Sequence, residues 1–227
     1  MYHIAAMIIV RNRLVALLSR IAMFIGLVVV FSLYFIEMSP AWRGLCFFEI
    51  QAGLLYIVFL GFEVIFNMID MRHGIKGIAA GWSAPLMIML TGYCFIGSAL
   101  YFGYIIPIHE YLTLRSILYN AFLIAVPLLN WLLFEIKGNV RSYYAYIALA
   151  YPLIYVIFSM FRAMIWPNNP LYTPDTMYIY HFFDPSHKSF PWAIWVAAAI
   201  TIAFFLLLIL INNLLARKWK RKVPSLF

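Results

Sequence analysis

The chain has 227 residues, 66% of them hydrophobic and 11% charged. Soluble domains carry roughly 25% charged residues, so water is excluded as the solvent for most of this chain. The net charge of +8 would suit nucleic acid in a soluble protein; here the excess lies largely at the chain ends and in short gaps between apolar runs, which marks orientation in a membrane and excludes a nucleic-acid partner.

The apolar runs are about twenty residues long, enough to cross a hydrocarbon core roughly 30 Å thick at about 1.5 Å per helical residue. A membrane barrel would show short alternating segments, and stretches such as Trp195 to Leu215 do not alternate. The expected fold is an all-α integral membrane protein, a single transmembrane domain over residues 1–227 built as a bundle of about six helices.

In chain order, Met1 to Val10 is apolar but too short to span and is expected to lie in the interface. Arg11 and Arg13 precede a run reaching Phe35. That run exceeds the roughly 7–15 residues of a signal-peptide core and reads as a first span. The predicted spans are 14–36, 45–69, 84–106, 116–136, 143–166 and 191–216, each bounded by charge, Gly or Pro. With the N-terminus inside, eleven basic residues fall on the cytoplasmic side, among them Arg72, Lys76, Lys137, Arg141 and the run Arg217 to Lys222. Three, Arg43, Arg115 and Lys188, fall on the other. The positive-inside rule then places both termini in the cytoplasm, in a multi-pass protein of the cell membrane. Arg20, near a span end, is expected to snorkel inward.

Trp42, Trp166 and Trp192 fall at outer span ends, as headgroup-level anchors do. The longest connection, Pro167 to Phe190, is rich in Pro and Tyr and is expected to form an external cap or a re-entrant lid. Cys46 and Cys94 are the only cysteines and read as small apolar packers, with a disulfide between them conceivable.

Ionisable groups at membrane depth are costly, so each is a functional hypothesis. Glu49 and Asn120 each lie about five residues from the outer end of their predicted span, hence roughly 7 Å deep, where they could face each other. Arg162 reaches a similar level and would ease the burial of Glu49 by pairing with it. These three are either helix ties or the centre of a catalytic or ligand pocket. Glu63, Asn67 and Asp70 form a polar stripe toward the cytoplasm. That stripe either lines a cavity or pairs with Arg72, Lys76 or a neighbouring helix. Glu135, close to Lys137, reads as an ordinary interfacial charge. In the segment His181 to His187, Pro185 breaks any helix that would align metal ligands, and the spacing matches no zinc signature. Neither a metal nor any other cofactor is expected.

Several segments resemble the bacterial branch of the androgen-induced-gene family, six-helix membrane proteins whose animal members include threonine hydrolases of fatty-acid lipid esters. Phe47 to Leu55 (FFEIQAGLL) is similar to the family's F-T-x-x-S-N-L-L start of helix 2. Tyr119 and Asn120, followed ten residues later by Asn130 to Phe134 (NWLLF), resemble its L-H and D-W-L-L-F pattern. Tyr151 to Tyr155 (YPLIY), then Arg162, then Tyr178 to Asp184 (YIYHFFD) resemble its Y-P-L-x-Y, Arg and Y-P-Y-x-F-x-D elements. The resemblance covers most of the chain and implies a pocket around Glu49, Asn120 and Arg162, with Tyr119, Tyr178, Tyr180, His181 and Asp184 as ligand-binding residues. It also places Glu49 where the family has its nucleophile threonine, and Asn120 where it has its histidine base.

A threonine–histidine mechanism cannot run on those side chains. The alternatives are a hydrolase of lipid esters in which Glu49 acts as a general base on water, and a catalytically silent subunit that binds lipid, a protein partner or a second copy. A third class, a small transporter, would need a polar path from Glu49 to the stripe at Glu63 and Asp70.

Overall fold

The computed structural model describes residues 12–37, 41–74, 83–109, 112–135, 137–138, 140–165, 178–186 and 188–222, without the side chains of 41–43, 108–109, 181 and 217–222. Among the described residues every regular element is helical, and six helices are long and apolar enough to cross a membrane. They are α1 (Arg13–Glu37), α2 (Phe48–Arg72), α3 (Ala84–Leu100), α4 (Leu114–Phe134), α5 (Ala150–Ile165) and α6 (Phe190–Lys222). Single turns extend three of them. A 3-10 turn at Ala41–Cys46 leads into α2, a π turn at Tyr101–Ile105 continues α3, and a helical turn at Tyr144–Ile147 precedes α5. The stretches long and apolar enough to cross, Arg13–Glu37, Phe48–Arg72, Ala84–Ile105, Leu114–Phe134, Tyr144–Ile165 and Phe190–Ala216, lie within three residues of the predicted spans.

Local chemistry sets where the helices start. Ser83 caps α3 by accepting from Leu86 N, with Pro85 in the first turn, where a missing N–H costs nothing. Thr113 and Ser116 form a reciprocal capping box on α4, each accepting from the other's backbone. Pro127, inside α4, removes one ladder bond, which packing against neighbouring helices makes tolerable in a membrane.

Side-chain contacts fix the antiparallel arrangement. At one end Arg13 of α1 meets Asp70 of α2 at 2.8 Å. At the other, Thr113 before α4 donates to Glu37 at the end of α1 at 3.2 Å. Helix α1 packs on α2 and α4, and α3 packs on α2, α4 and α6. The cap segment His181–Phe183, also a 3-10 turn, packs on α5 and α6. The rest of the Pro-rich connection, 166–177 with residue 187, lies outside the described residues, as do Met1 to Arg11, Trp166 and Lys76, and the side chain of Trp42. Trp192 is well exposed at the start of α6, as an interfacial anchor would be.

The core is unusually rich in tyrosine. Tyr34, Tyr56, Tyr101, Tyr119, Tyr155 and Tyr180 are wholly buried. A buried phenol needs a partner for its hydroxyl, and two of these, with the nearly buried Tyr93, find backbone carbonyls distant in the chain. Tyr119 donates to Glu49 O at 2.8 Å, Tyr155 to Cys46 O at 2.7 Å and Tyr93 to Ala148 O at 3.0 Å. A tie between membrane helices, such as Tyr119 to Glu49, is worth around 0.6 kcal/mol. Cys46 and Cys94 are free and buried, Cys46 in the 3-10 turn before α2 rather than in a span.

Candidate functional site

Polar side chains gather at the two opposite ends of the bundle. The first cluster forms where α2, α3 and α4 cross. Glu49 is the second residue of α2 and has no exposed surface. Its Oε2 accepts from the Tyr180 hydroxyl at 3.1 Å, and its Oε1 has no hydrogen-bond partner among the described residues. Burial lifts the Tyr180 phenol well above its ordinary value, and the adjoining Glu49 charge adds to that.

Helix α3 comes this close only because of a glycine. A Cβ built on Gly97 would stand 2.7 Å from Glu49 Cα, and one on Gly53 would stand 2.0 Å from the Tyr119 hydroxyl. Next along α3, Ser98 Oγ donates to Asn120 O at 3.3 Å. Asn120 is wholly buried; its Nδ2 turns back to Ser116 O at 3.0 Å, leaving Oδ1 without a partner among the described residues. Glu49 and Asn120 therefore meet the same two-residue stretch of α3 from two sides, with no direct hydrogen bond between their side chains.

Arg162 is also buried, but the expected Glu49–Arg162 pair does not form. The guanidinium lies beside Cys46 and Tyr178, close enough to lower both, though burial dominates and lifts the thiol and the phenol overall. The carboxylate is held by a phenol from the cap instead. Asp184 is occupied locally: its Oδ1 accepts from Ser186 N at 2.9 Å and Ser186 Oγ at 2.7 Å, closing the turn after the cap. The side chain of His181 lies outside the described residues. Of the expected site residues, Glu49, Tyr119, Asn120 and Tyr180 are drawn together, while Arg162, Tyr178 and Asp184 lie at the cap.

Beside this cluster lies a cavity of about 700 Å³, between α3 and α6 and floored by Phe48 of α2 and Pro152 and Tyr155 of α5. Phe182 and Phe183 of the cap line it. Among the described residues of its wall, only Tyr104, Tyr155 and Thr201 carry polar side-chain atoms. Ala99 and Gly103 on α3 and Ala193 and Ala197 on α6 keep the walls thin. These small residues recur every fourth position, a spacing that lets membrane helices pack closely and that here lines a space. Glu49 is not in the wall, but Tyr180 links the two. Its ring packs on Tyr104, Tyr155, Phe182 and Phe183 at centroid distances of 5.5, 6.1, 5.6 and 5.9 Å, all four being wall residues.

The second cluster is more highly charged. Arg20 does not snorkel; it is 1% exposed and reaches into the bundle. Its Nε donates to Asn130 Oδ1 at 3.0 Å and stands 3.5 Å from Glu63 Oε2, and its Nη2 donates to Glu135 Oε1 at 2.9 Å. Asn130 Nδ2 binds Glu63 Oε2 at 2.8 Å and the Tyr56 hydroxyl at 3.1 Å. Glu135, expected to be an ordinary interfacial charge, is buried with this group. Burial and the Glu63 carboxylate raise it well above the usual range, against the pull of Arg20. Lys137 caps the end of α4 by donating to the carbonyls of Trp131 and Glu135, and burial lowers it to about 8. The stripe on α2 is thus paired with α1, through Glu63 to Arg20 and Asp70 to Arg13, rather than with Arg72.

Between the clusters lie Leu27, Leu60 and Leu123, all wholly buried, and among the described residues no hydrogen bond joins one cluster to the other. Comparison with family models, with curated proteins and with solved structures returned no match.

Proposed function

We propose that this chain is a six-span membrane protein, both termini cytoplasmic, that holds the chain of an amphiphile between α3 and α6 in its outer half. The observation that carries this reading is the cavity of about 700 Å³ with a nearly all-apolar wall. Its size falls in the roughly 300–1,000 Å³ of small-molecule sites, and its wall would reject a polar solute while matching an alkyl chain. The eleven-to-three division of basic residues supports the orientation. The resemblance to the androgen-induced-gene family, whose animal members act on lipid esters, supports an amphiphile as the ligand class.

Binding is favoured over hydrolysis because Glu49 is sealed from the cavity and bonded to Tyr180, with neither a hydroxyl nucleophile nor an imidazole beside it. The transporter reading lacks support from the leucine layer between the polar clusters.

The test is lipid analysis of protein purified in mild detergent, followed by titration with a fluorescent fatty-chain probe, for the unchanged chain and for Ala197→Phe and Gly103→Leu. Saturable binding that both fillings reduce at least tenfold, with thermal midpoints retained, is the expected result. Equal probe binding in all three proteins removes this reading, as does turnover of an ester panel abolished by Glu49→Gln.

A further inference from the structure

We propose that the head group of the bound amphiphile is a hydrogen-bond donor, a hydroxyl or an ammonium, which takes the place of the Tyr180 hydroxyl at Glu49. The proposal rests on the chain-binding reading above and adds to it the chemistry of the ligand's polar end.

The junction of α2, α3 and α4 holds two acceptor oxygens with no partner among the described residues, Glu49 Oε1 and Asn120 Oδ1, on side chains with no exposed surface. A buried acceptor without a donor is costly and persists in a folded protein when something else meets it. The backbones of both residues meet the Gly97 and Ser98 stretch of α3, which brings the two side chains to one junction.

One side chain touches both places. Tyr180 packs its ring against four wall residues of the cavity and spends its hydroxyl on Glu49 at 3.1 Å. Rotating that ring joins the apolar cavity to the carboxylate. The rotation also breaks the Tyr180 bond, and the ligand must replace it. A hydroxyl or ammonium does so and has protons left for Oε1. An ester, an ether or a carboxylate offers no donor. A site built to hydrogen-bond a group rejects analogues lacking it, because its own polar atoms are left unpaired. Arg162 does not reverse this preference: it is outside the cavity wall and makes no ion pair with Glu49.

Four ligands of equal chain length test the proposal: hexadecanol, hexadecylamine, hexadecanoic acid and methyl hexadecanoate, each competed against a fluorescent fatty-chain probe on purified protein. The alcohol and the amine are expected to bind about tenfold or more tighter than the methyl ester, the scale of one buried hydrogen bond. Glu49→Leu should erase that difference. Tyr180→Phe, which removes the competing hydroxyl, should tighten the alcohol and the amine further. Preference for the acid, or equal binding of all four, overturns the donor-head proposal while the chain pocket stands. Binding of none of the four overturns the pocket itself. Should Glu49→Leu fail to fold, the Tyr180→Phe arm decides, because unchanged or weaker binding of the alcohol and the amine is incompatible with a hydroxyl that they displace.

Discussion

Arg20 and Glu135, separated by 115 residues in the chain, meet at 2.9 Å with both side chains almost completely buried. The same guanidinium serves Asn130 and approaches Glu63, so one cation holds α1, α2 and the end of α4 together. Removing one partner of a buried ion pair leaves the others uncompensated, at a cost of about 3–5 kcal/mol. Arg20→Met is therefore expected to lower the thermal midpoint in detergent sharply. Arg20→Lys should fall between, because an ammonium cannot span the two carboxylates as a planar fork does. Combining Arg20→Met with Glu63→Gln and Glu135→Gln should recover much of the loss, and a triple variant no better than Arg20→Met alone would show that the cluster is not the cause.

The same cluster sets a pH dependence with two limbs. Glu135 keeps its proton in the folded protein above its ordinary 4.5, so the folded state binds more protons there and stability falls as pH rises from about 4.5 through its raised value. Lys137 releases its proton near 8 when folded but near 10.5 when unfolded. Between those two values the unfolded state binds more protons, and stability rises with pH. Thermal midpoints from pH 5 to about pH 10 should trace a shallow trough. Glu135→Gln flattens the acid limb and Lys137→Met the alkaline one; an unchanged profile in both variants contradicts the assignment.

Two glycines of α3 should respond in opposite ways to the same substitution. A methyl at Gly97 meets the backbone of Glu49 at 2.7 Å, which a side-chain rotation cannot relieve. Gly97→Ala is expected to cost about 1–3 kcal/mol by forcing α2 and α3 apart. At Gly103 a methyl meets nothing within 4 Å, so Gly103→Ala should leave the midpoint unchanged or slightly raised. Parallel melts of the two variants check the contrast, and equal midpoints would mean that the crossing at Gly97 is looser than drawn.

Glu49 should be a residue kept at the expense of stability. A buried carboxylate with one oxygen unpartnered among the described residues is replaced favourably by an apolar group of similar size. Glu49→Leu is expected to raise the midpoint of the ligand-free protein by a few degrees. A fall of comparable size would indicate that the carboxylate is fully met in the resting state.

Orientation has its own check. Reporter fusions placed after Gly138 and after Lys188 should lie on opposite sides of the membrane, the first inside; the same side for both is incompatible with six crossings.

Composition and run length alone were enough to anticipate six helices long and apolar enough to cross a membrane, because about twenty consecutive apolar residues have few other stable settings and lipid forbids unpaired backbone. Depth along each helix was equally legible, since the rise per residue is constant; hence Glu49 and Asn120 were placed at one level and are found at one junction. Which side chains pair was not legible, because pairing depends on how each helix is rotated, and an apolar exterior erases the polar face that would reveal that rotation in water. Only the tertiary structure decided that Arg20 turns inward to Glu63 and Glu135, that Glu49 bonds Tyr180 rather than Arg162, and that the small residues of α3 and α6 line a cavity.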